Sequence, residues 1–241
     1  MSPALPLPRR VEPEILDRLA ADDPRARRTR SDLRRINRIM STLSIVLDGV
    51  DRIVAGKPPR SILELGAGDG SLMLRIAEHR RNAWPGVSVT LLDRQPAIDS
   101  RTLERIRATG WNPAIMALDV EDWLAQPVSG RWDLVVANLF VHHFADAALQ
   151  RLFAGIAARA GAFYCSEPRR TALALTGSHL VGLLGAGPVA RFDAVASVHA
   201  GFRDGELSAA WPASAHDRWS LREYDAGLFT HCLAAARAER Q

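Results

Sequence analysis

Apolar residues near the start of the chain recur with a helical period. Leu33, Ile36, Met40, Leu43 and Leu47 fall on one face, which predicts a long helix over 31–53, preceded by a short one over 12–20. From Ile62 onward the pattern changes to short apolar runs: Ile62 to Leu65, Val87 to Leu92, Ala114 to Leu118, Leu134 to Ala137 and Ala162 to Ser166. Stretches of mixed character separate them, and residues 146–159 read most clearly as a helix. Strands alternating with helices specify an α/β fold, because parallel neighbours are joined by crossovers that cover the faces of the sheet.

Two later stretches break this rhythm. Residues 172–190 are weakly polar but carry Gly177, Gly182, Gly185, Gly187 and Pro188, which suits a buried helix followed by a turn better than a membrane span of roughly 20 apolar residues. Residues 192–219 have no clean period and predict an insertion that carries substrate contacts, since function concentrates in loops on a rigid scaffold.

The strand ends hold the chemistry. Ile62-Leu63-Glu64-Leu65-Gly66-Ala67-Gly68-Asp69-Gly70 is an apolar strand running into a glycine-rich turn, where the backbone can approach a ligand without Cβ interference. A dinucleotide turn would need a third glycine where Ser71 stands, and no Lys-Ser/Thr pair follows to make a phosphate loop. Asp93 ends the second strand roughly 20 residues on, where Rossmann-like folds place the acid that accepts two ribose hydroxyls.

At these residues the chain resembles the class I S-adenosylmethionine-dependent methyltransferases of the small-molecule type. Their first motif, Glu/Asp-x-Gly-x-Gly-x-Gly, matches Glu64, Gly66, Gly68 and Gly70 position by position. The resemblance implies a Rossmann-like, seven-stranded, mostly parallel sheet with helices on both faces and an antiparallel last strand within 227–235. It implies S-adenosyl-L-methionine as cofactor, with Asp119 against the adenine amino group, Val120 against its ring, and Trp132 to Phe144 as the fourth motif and the segment after it. Ala67, Arg94, Asn138 and Leu139 complete the implied cofactor lining. Arg34, Asn37 or Arg38, with Arg38 preferred, folds over the cofactor and pairs with its carboxylate, for which a guanidinium fork is suited. The expected organisation is an arm and helical cap over 1–56, then the core over 57–241 with an insertion near 168–222.

Methyl transfer from a sulfonium is an in-line displacement that needs positioning above all. A hydroxyl acceptor adds the need for a base near neutral pKa, and His143 and His142 stand just past the fourth strand. His143 is the first choice, with Glu167 the next acid/base candidate and His199 with Arg203 a third group. A magnesium site of the catechol type would want acids after the fourth strand, where only Asn138 stands, so no metal is predicted. The reading is O-methylation of a phenolic or polyketide-like small molecule. C-methylation of a quinone or polyketide ring, RNA methylation, and a non-catalytic cofactor-binding accessory protein are the alternatives.

Composition changes this picture little. The chain has 241 residues, 47% of them hydrophobic, and a net charge of +4. Lys57 is the only lysine, and arginine gathers at 25, 27, 28, 30, 34, 35 and 38 without interleaved aromatics, so no stacking platform for bases accompanies the charge and no nucleic-acid partner is expected. Cys165 and Cys232 have neither metal-site nor paired-disulfide spacing. The proline-broken residues 1–10 predict a loose arm without the apolar stretch of a signal peptide. A cytoplasmic location, no stable membrane insertion and a homodimer are the corresponding expectations.

Overall fold

The computed structural model describes residues 7–54 and 56–238, so most of the expected arm lies outside the described residues. Seven strands form one sheet in the order β3-β2-β1-β4-β5-β7-β6: β1 Ser61–Leu65, β2 Ser88–Asp93, β3 Asn112–Ala117, β4 Trp132–Asn138, β5 Ala160–Pro168, β6 Trp219–Ala226 and β7 Thr230–Arg237. The first five are mutually parallel, and β7 runs antiparallel to both β5 and β6. This is the mostly parallel Rossmann-like sheet that the sequence predicts. The strand order reverses between β1 and β4, and in such sheets the crevice for ligands opens at the carboxyl ends of those two strands.

The central strands read as near-continuous apolar runs, interrupted by Glu64 on β1 and Glu167 on β5, because both faces are covered. Ile62, Val89, Leu134, Val136 and Tyr164 face one layer, built from α2 (Thr42–Val54), α3 (Ser71–Arg80) and α4 (Ser100–Ala108). Leu63, Leu65, Val135, Phe163 and Leu233 face the other, built from α5 (Val120–Ala125), α6 (Asp146–Arg159) and the later α9 (Glu206–Ala210). Each such side chain withdrawn from water stabilises the fold by about 1.5–3 kcal/mol.

The N-terminal elements depart from expectation. The long helix is two helices, α1 (Pro24–Ile39) and α2, separated at Ser41, whose φ of 56° is left-handed. Asp23 starts α1 early by accepting a hydrogen bond from the Arg25 amide at 2.7 Å, with Pro24 in the first turn. The apolar stripe is continuous in sequence but has two destinations. Ile36 and Met40 pack on Val181, Ala186 and Ala190, whereas Leu43, Val46, Leu47 and Val50 pack on the sheet, and the chain turns between them. The helix expected over 12–20 is a single 3-10 turn, Leu16–Arg18. Asp193 accepts the amides of Ile15 and Leu16 at 2.8 and 3.0 Å, which holds this segment as an extended strap across the molecule.

Residues 192–219 resolve into the rest of α8 (Pro188–Ala200), then α9 and a 3-10 turn, Ala213–Arg218. The buried helix expected at 172–190 is instead a surface element. In α7 (Ala172–Leu180) only Ala174 and Ser178 are buried, and Leu173 and Leu180 face outward. Among the described residues no helix is long and apolar enough to cross a membrane.

Candidate active site

The turn between β1 and α3 uses left-handed backbone at Gly66, Gly68 and Gly70, with φ of 69°, 55° and 70°. A Cβ on Gly66 would run into the Phe140 ring, whereas nothing lies within 4 Å of the corresponding position on Gly68. Gly68 therefore presents bare backbone to open space. Its amide donates to Asp93 Oδ2 at 2.8 Å, and the Gln95 amide donates to Asp93 Oδ1 at 2.7 Å. Both carboxylate oxygens are thus oriented by backbone, and each keeps lone-pair capacity for a hydroxyl.

Glu64, on β1, is 3% exposed, and its Oε2 has no hydrogen-bond partner. Burial, with the charges of Asp69 and Asp93 adding to it, holds its carboxyl well above the usual range. A buried oxygen without a partner costs free energy that a ligand donor can recover. These residues fit an aminoacyl nucleoside: an unpartnered carboxylate for an ammonium, an oriented carboxylate for a diol, and open glycine backbone between them.

The other expected cofactor residues take varied positions. Asp119 caps α5 by accepting the Glu121 amide at 2.9 Å, and Val120 is buried beside it. Ala67 is buried and its amide donates to the Leu92 carbonyl at 3.0 Å. Arg34, not Arg38, reaches the glycine turn, forming an ion pair with Asp69, while Arg38 is exposed with no described partner. Arg94 donates to the Asp17 carbonyl at 2.8 Å, so it ties the strap to the end of β2.

Across the switch point, Asn138 Oδ1 accepts the Ser166 hydroxyl at 2.8 Å. Leu139 follows with φ of 52°, a conformation that costs a non-glycine residue about 1–3 kcal/mol and clusters at functional sites. Glu167 holds the strained loop in place. Fully buried, it accepts the amides of Phe140, Val141 and His142 at 3.1, 3.0 and 3.3 Å and bonds His142 Nδ1 at 2.7 Å. A carboxylate so committed is a scaffold for the loop, and the acid/base role considered for Glu167 has no free oxygen behind it.

The two histidines have opposite environments. His142 sits between Glu167 and Glu14, the latter 3.2 Å from Nε2. Burial alone would push its pKa down, but the two carboxylates outweigh burial and push it up to about 9. It is an imidazolium at neutral pH and a poor base. His143 lies with its ring centroid 4.2 Å from that of His142 and its Nδ1 3.3 Å from Asp17 Oδ2. Burial, then the neighbouring positive His142, lower its pKa, so it stays neutral.

Glu14 and Asp17 belong to the strap, which sequence reasoning left without a role. Ser197 donates its hydroxyl to Glu14, and Arg9 donates to the carbonyls of His142, Phe144 and Ala200 at 3.2, 2.9 and 2.8 Å. Asp193 beneath them is pushed up to about 6, by burial first and also by Glu14 and Asp17. Glu14, His142 and His143 offer ligand atoms within 4.8 Å of one another. Both ring nitrogens of His142 are engaged by carboxylates, Nδ1 by Glu167 and Nε2 by Glu14. His199 and Arg203 stand apart: the His199 carbonyl accepts the Arg10 amide, and Arg203 lies beside Asp204 and Glu206.

Residues 63–161 match the family model for a methyltransferase domain. A malonyl-[acyl-carrier protein] O-methyltransferase from Paenibacillus sp. (strain JDR-2) is 34% identical over 91 residues, 37% of this chain and 32% of that protein, so the match spans about a third of the curated relative's length. Among solved structures, the plantazolicin methyltransferase BpumL, in complex with a monoazolic desmethylPZN analog and SAH, superposes with a TM-score of 0.63 at 13% identity, covering 90% of this chain and 91% of that one. Magnesium protoporphyrin IX methyltransferase from Synechocystis PCC 6803 with bound SAH gives 0.52 at 18% identity, covering 83% of each chain. At these identities the structural likenesses show the fold. The matched segment runs from Leu63 on β1 through the glycine turn, Asp93, Asp119 and Asn138, and these residues form a methyltransferase domain with S-adenosylmethionine as its cofactor.

Proposed function

We propose that the chain methylates a hydroxyl oxygen of a small phenolic or polyketide-like molecule, with His143 as the base. The observation that carries this reading is the place of His143, with Nδ1 3.3 Å from Asp17 Oδ2 and its ring 4.2 Å from that of His142, where burial and His142 lower its pKa. If Nδ1 of His143 holds the proton, it donates to Asp17 Oδ2 and leaves Nε2 as the acceptor, because the partner of one ring nitrogen sets the role of the other. His142, already protonated, takes nothing from the acceptor and keeps its neighbour neutral by charge.

In this reading Glu64 receives the ammonium of S-adenosylmethionine, Gly68 gives its backbone room, Asp93 receives the ribose hydroxyls, and Asp119 with Val120 meets the adenine. Asn138 and Leu139 line the junction with the acceptor. When bound, the cofactor supplies an electrophilic methyl group on a sulfonium sulfur. The protein's part is to hold the acceptor oxygen in line with that methyl, to exclude water and to take the hydroxyl proton at His143 Nε2. The curated relative is an O-methyltransferase, which supports oxygen as the acceptor atom. Arg25, Arg34 and Arg35 of the arginine cluster pair with Asp23, Asp69 and Asp32, which favours a small molecule over nucleic acid.

The test is single-turnover methylation of a panel of phenols by the wild type and by His143→Ala. The variant is expected to lose roughly a hundredfold or more in rate while cofactor affinity is unchanged. Wild-type rates in His143→Ala would remove the base from this residue.

A further inference from the structure

One surface of the molecule is apolar, cationic and unused by the crevice. Residues 172–190 contain no Asp, Glu, Lys or Arg. Leu173 and Leu180, seven residues apart on α7, share the face opposite the buried Ala174 and Ser178, and they are 54% and 52% exposed. The 3-10 turn Val181–Leu184 that follows projects Leu183, 83% exposed, with Leu184 beside it. Water-facing leucines in such a group are uncommon unless the surface meets something.

The exposed charge around it is arginine, with Asp32 buried beneath. Side chains of Arg28, Arg35 and Arg191 lie against the backbone of Gly187, Gly185 and Gly182, the glycines of this turn. Arg28 and Arg191 are exposed and have no ion-pair partner among the described residues. Arg35 is paired with Asp32, a buried carboxylate that also accepts the Gly187 amide at 2.8 Å. On α1, Ile39 continues the face of Arg28 and Arg35 at helical spacing and is exposed too.

We infer that this knob seats on an anionic phospholipid surface, with Leu180, Leu183 and Leu184 entering the acyl boundary and Arg28 and Arg191 on lipid phosphates. Leucines that protrude rather than line a groove suit a fluid apolar phase, which needs no matching shape, and guanidinium groups around them complement phosphate. Attachment is to one face of the bilayer, since no described helix can cross it. The knob leads directly into α8, which holds the strap through Asp193 and Ser197 and so adjoins the histidines. Docking brings the acceptor side of the crevice to a surface where lipophilic acceptors collect; this last step rests on the proposed function, whereas the docking does not.

Co-flotation of the full chain with vesicles tests the docking. Binding is expected to phosphatidylglycerol-rich vesicles and not to pure phosphatidylcholine, and to weaken as salt is raised. Leu183→Glu is expected to weaken it by roughly tenfold or more, and Arg28→Gln or Arg191→Gln by roughly fivefold each. S-adenosylhomocysteine affinity, measured by calorimetry, should be unchanged in all three, which shows that they are folded. Equal binding to neutral vesicles, or none to anionic ones, overturns the inference. So does tight binding of an acidic acyl carrier protein in solution that Leu183→Glu abolishes while vesicles show nothing, or a dimer in sedimentation that the same variant splits.

Discussion

His142 and Glu167, 25 residues apart in sequence, are joined by a buried contact of 2.7 Å that fixes the loop after β4. One carboxylate gathers three consecutive amides and a ring nitrogen, so the strained Leu139 just before them has no room to relax. The pair links the end of β5 to the end of β4 and passes, through the other nitrogen of His142, to Glu14 in the strap.

Removing the anchor should be felt first in stability. Glu167→Ala leaves three amides and an imidazolium without their partner, and a loss of about 3–5 kcal/mol is expected in urea unfolding. Glu167→Gln should cost less, because the side-chain carbonyl can still accept from the loop. A Glu167→Ala protein as stable as the wild type, with turnover lost, would return Glu167 to the chemistry.

The charge on His142 makes stability depend on pH in a defined direction. Its pKa is 6.5 unperturbed and about 9 in the fold, so the protonated ring stabilises the folded state fully below pH 6.5. That contribution, about 3 kcal/mol, is lost as pH rises from 6.5 through 9. Thermal unfolding across this window should show a falling Tm in the wild type and a flatter profile in His142→Gln. A slope identical in both proteins would mean that another group titrates.

Cofactor binding should release a proton. Glu64 is held well above the usual carboxylate range when unpaired, and an ammonium beside it lowers that value. Affinity for S-adenosylhomocysteine is therefore expected to rise with pH between the ordinary carboxylate range and the raised value of Glu64. Glu64→Gln should lose this dependence and bind roughly tenfold to a hundredfold more weakly, as for a lost hydrogen bond to a charged group. Calorimetry in buffers of different ionisation heat reads the proton directly, and no buffer dependence would count against the assignment.

His142 and Asp17 act on His143 with opposite sign, which gives a test that a merely structural role cannot pass. In the proposed reaction turnover needs neutral His143 and should fall as pH drops through its pKa. Asp17 favours the charged ring and His142 disfavours it. The acid limb of the rate profile should therefore move down in pH for Asp17→Asn and up for His142→Gln. Shifts in the same direction, or none, would place the base elsewhere.

Much of this architecture is legible in the residues because strands with both faces covered read as apolar runs, and turns after them read as glycine and acid. The bounds of α6, 146–159, and the positions of Asp93, Asp119 and Asn138 at strand ends follow from that local grammar. The split between α1 and α2 does not, since one helical period serves two packing destinations. Nor does the strap: Glu14 meets His142 across 128 residues and Ile15 meets Asp193 across 178, pairings that no periodicity records. The surroundings of the two histidines escape it for the same reason: His142 meets Glu14 and Glu167, and His143 meets Asp17, all far along the chain.

The strap also sets a timetable for the making of the molecule. It leaves the ribosome before its partners: apart from Arg94, these include Asp146, Asp193, Ser197 and His199, 137 or more residues further along. The glycine turn meets Asp93 across only 25 residues, so that contact can form while the strap still waits. The Asp17–His143 pair can close only once residue 143 has emerged, and Asp193 and Ser197, which hold the strap, come later still. A nascent chain thus has its glycine turn before the strap can be seated beside His143, and a segment made ahead of the sheet is seated after it.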